Sequence, residues 1–230
     1  MKKKLVFLTG AGVSQESGIQ TFRDSGGLWE NYDIMDVATP EAWQRNQELV
    51  LWFYNERRKQ LREVKPNAGH IGIAALENDF DVNIITQNVD DLHERAGSKK
   101  VLHLHGELNK ARSTVNPDLI YTLDHWELKT GDKCAEGSQL RPHIVWFGEP
   151  VPAMTEALPI VQEADIFVVA GTSLEVYPAA GLIHYTKPGI PVFVVDPVRP
   201  KIPLKNVEYI QEKAGKGIEI LTKELEKLRI

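Results

Sequence analysis

Cysteine and long apolar runs are the two features that this sequence almost lacks. Cys134 is the single thiol among 230 residues, so neither an internal disulfide nor a cage of cysteine ligands for a metal can be assembled from the chain. The apolar runs, including the one that follows the first four residues, are too short for a signal-peptide core or a membrane span. We therefore expect a soluble, cytoplasmic protein with no membrane partner.

An excess of positive charge is also missing. The 27 basic and 32 acidic residues give a net charge of −5 and are interspersed along the chain, which argues against a nucleic-acid partner held through its phosphate backbone. Hydrophobic residues make up 42% of the chain, enough to bury a substantial core. The length favours one main domain with an appended module.

Short, almost uninterrupted β-branched runs recur along the chain, as in strands that are buried on both faces of a sheet. They occupy residues 5–8, 82–86, 101–104, 144–147, 166–170 and 192–195. Stretches of helical character lie between them, at residues 40–64, 68–78, 153–163 and 217–228. This alternation predicts an α/β fold with a Rossmann-like, doubly wound parallel sheet.

Two stretches break the rhythm of strand and helix: an aromatic helical region around residues 43–61 and a polar stretch at residues 108–140. We assign them to a smaller inserted lobe, formed by residues 30–64 and 107–140. The Rossmann-like domain then takes residues 1–29, 65–106 and 141–230. A sheet of this class binds its ligand at the carboxyl ends of its strands, so a lobe at that edge would form a cleft for another substrate.

A glycine turn follows the first predicted strand directly. Gly10, Ala11 and Gly12 allow a tight turn and a close approach of the backbone to a pyrophosphate at a helix N-terminus. The third glycine of the dehydrogenase fingerprint would fall where Gln15 stands, so that fingerprint is only partly met. A glycine turn without a ligand stays open as an alternative.

Longer blocks of the sequence resemble the sirtuin family. The block GAGVSQESGIQTFR at residues 10–23 resembles its cofactor loop, TQNVDDLH at residues 86–93 its nicotinamide-ribose motif, and HLHGEL at residues 103–108 its catalytic histidine motif. VWFGE at residues 145–149 and GTSLEV at residues 171–176 resemble its substrate strand and a nucleotide-binding segment. The resemblance runs from about Leu5 to Ala214, which is nearly the whole chain.

The resemblance implies NAD-dependent removal of acyl groups from protein lysine, with release of nicotinamide and an O-acyl-ADP-ribose product. His105 would be the base, a task that suits histidine because its ordinary pKa lies near the working pH. Asn88 and Asp90 would hold the ribose and the carboxamide, and Phe22 would shield the reacting face. The partners would be acyl-lysine proteins or peptides.

The matching positions also imply two sets of contacts. The residues that would bind NAD are Gly10, Ala11, Gly12, Ser14, Ser17, Gly18, Thr21, Phe22, Arg23, Trp29, Gln87, Asn88, Asp90, Gly171, Thr172, Ser173, Asp196, Pro197 and Ala214. Those that would bind the acyl-lysine substrate are Tyr54, Arg57, Val145, Phe147, Gly148, Glu149 and Val176.

Several alternatives stay open. Without the motif, His105 has no better claim to the role of base than His103, and Asp90 and Asp91 are also suited to capping a helix. On the level of function, the alternatives are an NAD-linked oxidoreductase, a regulatory sensor that binds NAD or ADP-ribose, and a protein ADP-ribosyltransferase.

The small lobe departs from the family in its metal ligands. Sirtuins commonly hold a tetrahedral zinc with two cysteine pairs in this lobe, and here only Cys134 could belong to such a set. We therefore predict no structural zinc and a lobe held together by packing. The apolar material for that packing is Leu119, Ile120, Tyr121, Leu123, Trp126 and Leu128.

A pair of residues in the predicted helix at 40–64 bears on the acyl group. Tyr54 and Arg57 are three positions apart and so share a face. With the small Ala38 upstream, they resemble the sirtuin subgroup that accepts succinyl-lysine and malonyl-lysine, because a guanidinium and a phenol together suit a carboxylate. The alternative is that residues 56–59 form an ordinary solvated charge run.

Two further departures concern the cofactor. Gln20 stands where sirtuins often carry proline, and Asp196 stands in the segment that usually offers an asparagine to the adenine ribose. An aspartate can accept hydrogen bonds from ribose hydroxyls as an asparagine does. The contacts at the adenosine end, including Ala214, are therefore the least defined part of the predicted site.

Overall fold

The structure is a computed structural model that describes residues 2–19, 32–201 and 206–228. Four of the predicted NAD contacts, Thr21, Phe22, Arg23 and Trp29, lie outside these residues.

Nine strands form two sheets within the described residues. They are β1 (Lys4–Thr9), β2 (Asp81–Thr86), β3 (Val101–His103), β4 (Gly106–Ser113), β5 (Ile120–Thr122), β6 (Leu140–Ile144), β7 (Ile166–Ala170), β8 (Val192–Val195) and β9 (Glu208–Ile210). Six of them form a parallel sheet in the order β3-β2-β1-β7-β8-β9. The predicted Rossmann-like parallel sheet is confirmed, and the strand order reverses between β1 and β7.

Seven α-helices lie in the described part of the chain. They are α1 (Ile34–Val37), α2 (Pro40–Arg45), α3 (Gln47–Glu63), α4 (Ala68–Ala75), α5 (Leu92–Arg95), α6 (Met154–Glu163) and α7 (Ala214–Glu226). The single helix predicted at residues 40–64 is wrong, because Asn46 separates α2 from α3. The Asn46 side chain accepts the Leu49 backbone N–H and so caps α3. In the same part of the chain, no helix combines the length and the apolar character that crossing a membrane requires.

The core of the parallel sheet follows the alternation of side chains along β1. Leu5 and Phe7 are fully buried on one face, among residues of α4 and α7 such as Ile73 and Ile218. Val6 and Leu8 are fully buried on the other face, where α6 packs. Because both faces are covered by helices, the strand needs apolar residues at every position, which explains the uninterrupted runs in the sequence.

The second sheet is small and antiparallel, with the strand order β5-β4-β6. The run at residues 144–147, predicted as one of the buried strands, is wrong as a strand: β6 ends at Ile144, and it pairs with β4 rather than within the parallel sheet. β6 therefore crosses the predicted boundary between residues 140 and 141. The division of the chain into two lobes stays a prediction.

The small sheet packs against α3. Leu128 is buried in the apolar cluster between them. Leu119, Tyr121 and Leu123 are partly buried against that cluster, and Ile120 is exposed. A buried arginine of α3 adds polar contacts to this interface. Arg58 donates to the backbone carbonyls of Trp126 at 2.7 Å and Leu108 at 3.3 Å.

Candidate active site

The glycine turn after β1 lies against the loop after β7, at the point where the strand order reverses. The Gly10 N–H donates to Ala170 and the Gly12 N–H to the Gly171 carbonyl, at 3.0 and 2.9 Å. A Cβ on Gly10 would lie 2.6 Å from the Thr172 Cβ, and one on Gly12 would lie 2.8 Å from the Gly171 Cα. These glycines are needed for the close approach of two loops at the carboxyl edge of the sheet, where this fold class binds nucleotides.

Ser14 joins the first two motifs of the sequence. Its fully buried hydroxyl donates to Asp90 Oδ2 at 3.0 Å and accepts from Asn88 Nδ2 at 3.1 Å. A third partner is His70 Nε2 at 3.3 Å. A serine hydroxyl has one donor and two acceptor positions, so these three contacts saturate it. The structure therefore brings three predicted NAD contacts into one hydrogen-bonded group.

His70 is a part of this group that sequence analysis missed as a site residue. Asn67 caps α4, and the Asn67 backbone N–H donates to His70 Nδ1 at 3.4 Å. The proton of the neutral ring therefore lies on Nε2, facing Ser14. Burial lowers the pKa of His70 to about 4, so the ring stays neutral at physiological pH. No local pattern marks such a residue, because its partner Ser14 is 56 positions away in the chain.

His105 lies just before β4 and turns one nitrogen toward the loop after β2. Its Nδ1 is 3.1 Å from the Gln87 carbonyl oxygen, which can only accept, so Nδ1 carries the proton. Nε2 keeps its lone pair and has no hydrogen-bond partner among the residues that the structure describes. Burial lowers the pKa of His105, partly offset by the bond to Gln87. A neutral imidazole with a free nitrogen is what a general base requires.

His103 differs from His105 in the use of its nitrogens. Nδ1 lies 2.9 Å from the Asn88 carbonyl oxygen, and Nε2 lies 2.8 Å from Glu94 Oε1. Both acceptors occupy the ring nitrogens, so no lone pair is left to take a proton. The geometry thus separates two histidines that only the motif had distinguished.

Tyr54 and Arg57 occupy one face of α3, as their spacing predicts. The Tyr54 hydroxyl accepts from the indole N–H of Trp146 at 3.1 Å. The guanidinium carbon of Arg57 is 5.8 Å from the centre of the Tyr54 ring. Burial lowers the pKa of Arg57, opposed by the nearby Tyr54 and Asp90. The negative charge of Asp90, which is hydrogen-bonded to Ser14, therefore acts on Arg57.

The segment after β6 runs close to His105. The Val145 N–H donates to the His105 carbonyl at 2.9 Å, and the Phe147 N–H donates to the Ala38 carbonyl at 3.0 Å. Phe147 is 42% exposed, and Val176, in the segment after β7, is 39% exposed. Gly148 has a φ of +89°, which favours glycine. The segment that contains Phe147 and Gly148 therefore offers an accessible surface that begins at the contact of Val145 with the candidate base.

Glu149, also predicted to bind substrate, has its carboxylate engaged within the protein. Arg141 holds both carboxylate oxygens at 2.7 and 3.0 Å, and Arg112 approaches one of them at 3.1 Å. The backbone N–H of Trp146 donates to the same carboxylate at 2.8 Å. A contact of Glu149 with a substrate would therefore have to use its backbone.

The residues predicted at the adenosine end lie along the same edge of the sheet. Asp196 follows β8 directly, and its Oδ1 accepts the Val198 N–H at 2.9 Å. Pro197 is exposed beside it. Ala214 is buried at the start of α7, where the Gly215 N–H donates to Glu16 at 2.7 Å. The contacts of these residues with a nucleotide stay predictions.

Six more of the predicted NAD contacts lie in the segments between these groups. Gln87 donates from Nε2 to the Thr172 hydroxyl at 3.2 Å, and the Ser17 hydroxyl accepts from Asn67 Nδ2 at 2.9 Å. Gly18, with a φ of +93°, caps the C-terminal end of the single helical turn at Gln15–Ser17. Ala11 and Ser173 lie in the two facing loops.

The single thiol lies in a hydrogen-bonded cluster at the end of β4. Cys134 Sγ is 3.0 Å from the Ser138 hydroxyl, which is 2.8 Å from the Ser113 hydroxyl. Hydrogen bonds from Ser138 and Ser113 lower the pKa of Cys134 to about 7. Within the described residues, no three His, Cys, Asp or Glu side chains are grouped so as to hold a metal. The absence of zinc stays a prediction.

Comparison with known proteins gives one consistent family. The profile of the Sir2 family matches residues 10–178. An NAD-dependent protein deacylase of Bacteroides thetaiotaomicron is 54% identical over 225 residues, which cover 95% of this chain and 96% of that protein. One of Helicobacter pylori is 51% identical over 226 residues, covering 97% of each.

Solved structures give the same result. A Sir2 homologue in complex with NAD has a TM-score of 0.89 at 39% identity, covering all of this chain and 91% of the other. A structure described under the mechanism and regulation of Sir2 enzymes has a TM-score of 0.80 at 35% identity and covers 99% of this chain and 94% of its own. The chain therefore belongs to the Sir2 family of NAD-dependent protein deacylases, the sirtuins.

Proposed function

We propose that this NAD-dependent protein deacylase removes succinyl and malonyl groups as well as acetyl groups from lysine, and that the acyl group passes to ADP-ribose. The observation that carries the acyl preference is the pair on α3. Tyr54 is buried, and Arg57 is a partly buried cation whose guanidinium carbon lies 5.8 Å from the centre of the Tyr54 ring. A partly desolvated guanidinium beside a phenol suits an anionic ligand, and a carboxylate at the end of an acyl chain provides one.

The residues around Ser14 suit NAD because they combine a glycine backbone with buried hydrogen-bonding side chains. The glycine turn at residues 10–12 brings bare backbone to the switch point of the sheet, and the Asn88 amide and Asp90 carboxylate are buried beside it with hydrogen-bonding capacity to spare. We assign the nicotinamide ribose to Asn88 and Asp90 and the adenosine to Asp196, Pro197 and Ala214. NAD supplies, when bound, an anomeric carbon from which nicotinamide can leave.

His105 would act on a ribose hydroxyl as general base through Nε2. The bond from Nδ1 to the Gln87 carbonyl fixes the tautomer, and burial keeps the ring neutral near neutral pH. Because the pKa of His105 is lowered, the acid limb of the pH profile should lie below its ordinary value of 6.5. Activity should be lost as the pH falls through that limb, since protonation removes the lone pair.

The test compares acetyl-lysine, succinyl-lysine and malonyl-lysine peptides of one sequence, with and without NAD. Mass spectrometry follows the peptide, free nicotinamide and acyl-ADP-ribose. We expect NAD-dependent loss of the acyl mass from all three peptides and none with His105→Ala. A peptide that gains the mass of ADP-ribose instead of losing its acyl group would overturn the proposal in favour of ADP-ribosyl transfer.

The acyl preference has its own matched control. Arg57→Met should lower kcat/KM for the succinyl peptide by about tenfold to a hundredfold, since charge-assisted hydrogen bonds are lost, and leave the acetyl peptide within about twofold. Lys59→Met removes the same charge from the same helix at a position that stacks on Trp126. Equal losses for both peptides in Arg57→Met, or equal effects of the two variants, would support an ordinary charge run instead.

We also propose that the protein is cytoplasmic and has no nucleic-acid partner. The single cysteine supports the first proposal, and the interspersed charges support the second.

A further inference from the structure

Two histidines hold successive carbonyl groups of the loop after β2. His105 donates from Nδ1 to the Gln87 carbonyl at 3.1 Å, and His103 donates from Nδ1 to the Asn88 carbonyl at 2.9 Å. The two rings lie two positions apart, at the end of β3 and just before β4. They thus fix the backbone of the loop that carries Asn88 and Asp90.

The two rings differ in protonation. His103 places Nε2 at 2.8 Å from a carboxylate oxygen of Glu94. The Asn88 carbonyl and an ionised carboxylate can only accept hydrogen bonds, so both nitrogens of His103 must carry protons. The ring is then an imidazolium, with a side chain that is 8% exposed. Burial lowers the pKa of His103, but the bonds to Glu94 and Asn88 outweigh it and leave the pKa above the ordinary value.

The charges around His103 favour its cationic form. Glu94 on α5 faces one nitrogen, Glu107 on β4 adds a second negative charge, and Asp90 in the loop is itself influenced by the ring. His93 on α5 faces it as a neutral group, because burial and the neighbouring His70 and His103 keep the pKa of His93 well below the ordinary value. Burial raises the pKa of Glu94, but the hydrogen bond and charge of His103, together with the charge of Lys110 on β4, outweigh it and lower the pKa, so this carboxylate stays ionised.

We propose that His103 is a positioning residue for NAD, and that it holds the Asn88 carbonyl only while it is an imidazolium bound to Glu94. The inference rests on the proposed contact of Asn88 with the nicotinamide ribose. A shift of the Asn88 backbone would move its side chain, which lies 3.1 Å from the Ser14 hydroxyl.

Deprotonation of His103 should break its hydrogen bond to the Asn88 carbonyl rather than its hydrogen bond to Glu94. A neutral ring has one N–H for two acceptors, and a hydrogen bond to a charged acceptor is about twice as strong as one between neutral groups. The proton therefore stays on Nε2, and the lone pair of Nδ1 then faces the Asn88 carbonyl oxygen. Since the pKa of His103 is raised, this loss occurs as the pH rises through a value above 6.5. His105, with a lowered pKa, titrates on the opposite side.

Two substitutions separate the two nitrogens of His103. The amide nitrogen of asparagine can take the place of Nδ1, whereas that of glutamine takes the place of Nε2. His103→Asn should therefore keep the donor to Asn88 at every pH, and His103→Gln should lose it at every pH. Glu94→Gln should also keep it, because a glutamine amide can donate to Nε2 of a neutral ring whose proton stays on Nδ1.

The measurement is the dissociation constant of NAD by calorimetry, without acyl peptide, from about pH 6 to about pH 9. For the native protein we expect affinity to fall about three- to tenfold across this range, as one hydrogen bond is lost. His103→Asn and Glu94→Gln should bind tightly and without pH dependence, and His103→Gln should bind weakly throughout. Thermal melting checks that each variant is folded.

A flat profile for the native protein would overturn the inference, whether or not a variant folds. So would a folded His103→Asn variant that binds NAD as weakly as His103→Gln. Asn88→Ala separates this failure from that of the proposed NAD contact. If Asn88→Ala binds NAD like the native protein, the contact is wrong and the inference with it. If Asn88→Ala is weak but His103→Gln is not, only the role of His103 is wrong.

Discussion

The indole N–H of Trp146 donates to the phenol oxygen of Tyr54 over 3.1 Å. Trp146 is held from two sides, because the guanidinium carbon of Arg141 lies 3.3 Å from the centre of its ring and Glu149 accepts its backbone N–H. With one lone pair of Tyr54 occupied by the indole, the phenol proton must point elsewhere. Trp146 thus sets the direction in which Tyr54 can donate.

Trp146→Phe should selectively weaken the binding of the succinyl-lysine peptide. A smaller aromatic ring takes the place of the indole and the indole N–H is lost, so KM for that peptide should rise about three- to tenfold, the effect of about one hydrogen bond. The acetyl peptide has no carboxylate for Tyr54 and should be unaffected. The measurement is steady-state kinetics with both peptides.

A double-mutant cycle checks that Trp146 acts through Tyr54. If it does, Trp146→Phe combined with Tyr54→Phe should be no worse than Tyr54→Phe alone. Fully additive losses would show that the two residues act independently.

Glu149→Gln should destabilise the fold by about 3 kcal/mol, because Arg141 and Arg112 would lose their mostly buried counter-ion. Their side chains are 10% and 15% exposed. Urea unfolding at neutral pH measures this loss, and a loss no larger than that of an exposed pair would contradict it.

The same group predicts a pH dependence of stability. Burial raises the pKa of Glu149, but the hydrogen bonds from Arg141 and Trp146 and the charge of Arg112 outweigh it, so the pKa is lowered. A carboxyl group with a lowered pKa stabilises the fold above its unfolded value of 4.5, and this stabilisation is lost as the pH falls through the folded value. Below about pH 4.5 the native protein should therefore lose stability more steeply than Glu149→Gln.

Arg58→Met should cost about 3 kcal/mol of stability. The side chain is 1% exposed and donates to two carbonyls and to Asn55 Oδ1 at 2.5 Å, so its loss leaves buried acceptors without a donor. Arg57→Met, one position away on the same helix, is the matched control. It should lower kcat/KM for the succinyl-lysine peptide but change the free energy of unfolding less than Arg58→Met does. Equal unfolding free energies for the two variants would contradict this division of roles.

The predicted absence of zinc is tested by metal analysis of the purified protein and by melting with and without EDTA. We expect no stoichiometric metal and an unchanged melting temperature, because the Ser113, Cys134 and Ser138 cluster and the packing against α3 hold the lobe. One zinc per chain, or a melting temperature that EDTA lowers, would contradict the prediction.

Local patterns were enough to predict most of the parallel sheet. Five of the six predicted runs, including residues 5–8 and 166–170, lie in parallel strands, because a strand covered on both faces needs apolar residues throughout. The sixth run, at residues 144–147, failed because a short apolar run does not reveal its partner strand. β6 pairs with β4 through contacts between distant parts of the chain.

The sequence by itself determined the family, the switch-point glycines and His105 as the candidate base, since these depend on contiguous motifs. Only the tertiary structure decided which groups share a hydrogen bond: Ser14 with Asp90 across 76 positions, and Tyr54 with Trp146 across 92. It also decided the difference between His103 and His105, which is invisible in sequence because it depends on the acceptors that Glu94, Asn88 and Gln87 present. The physical reason is that periodicity reports local burial, whereas protonation and orientation depend on partners that folding brings into contact.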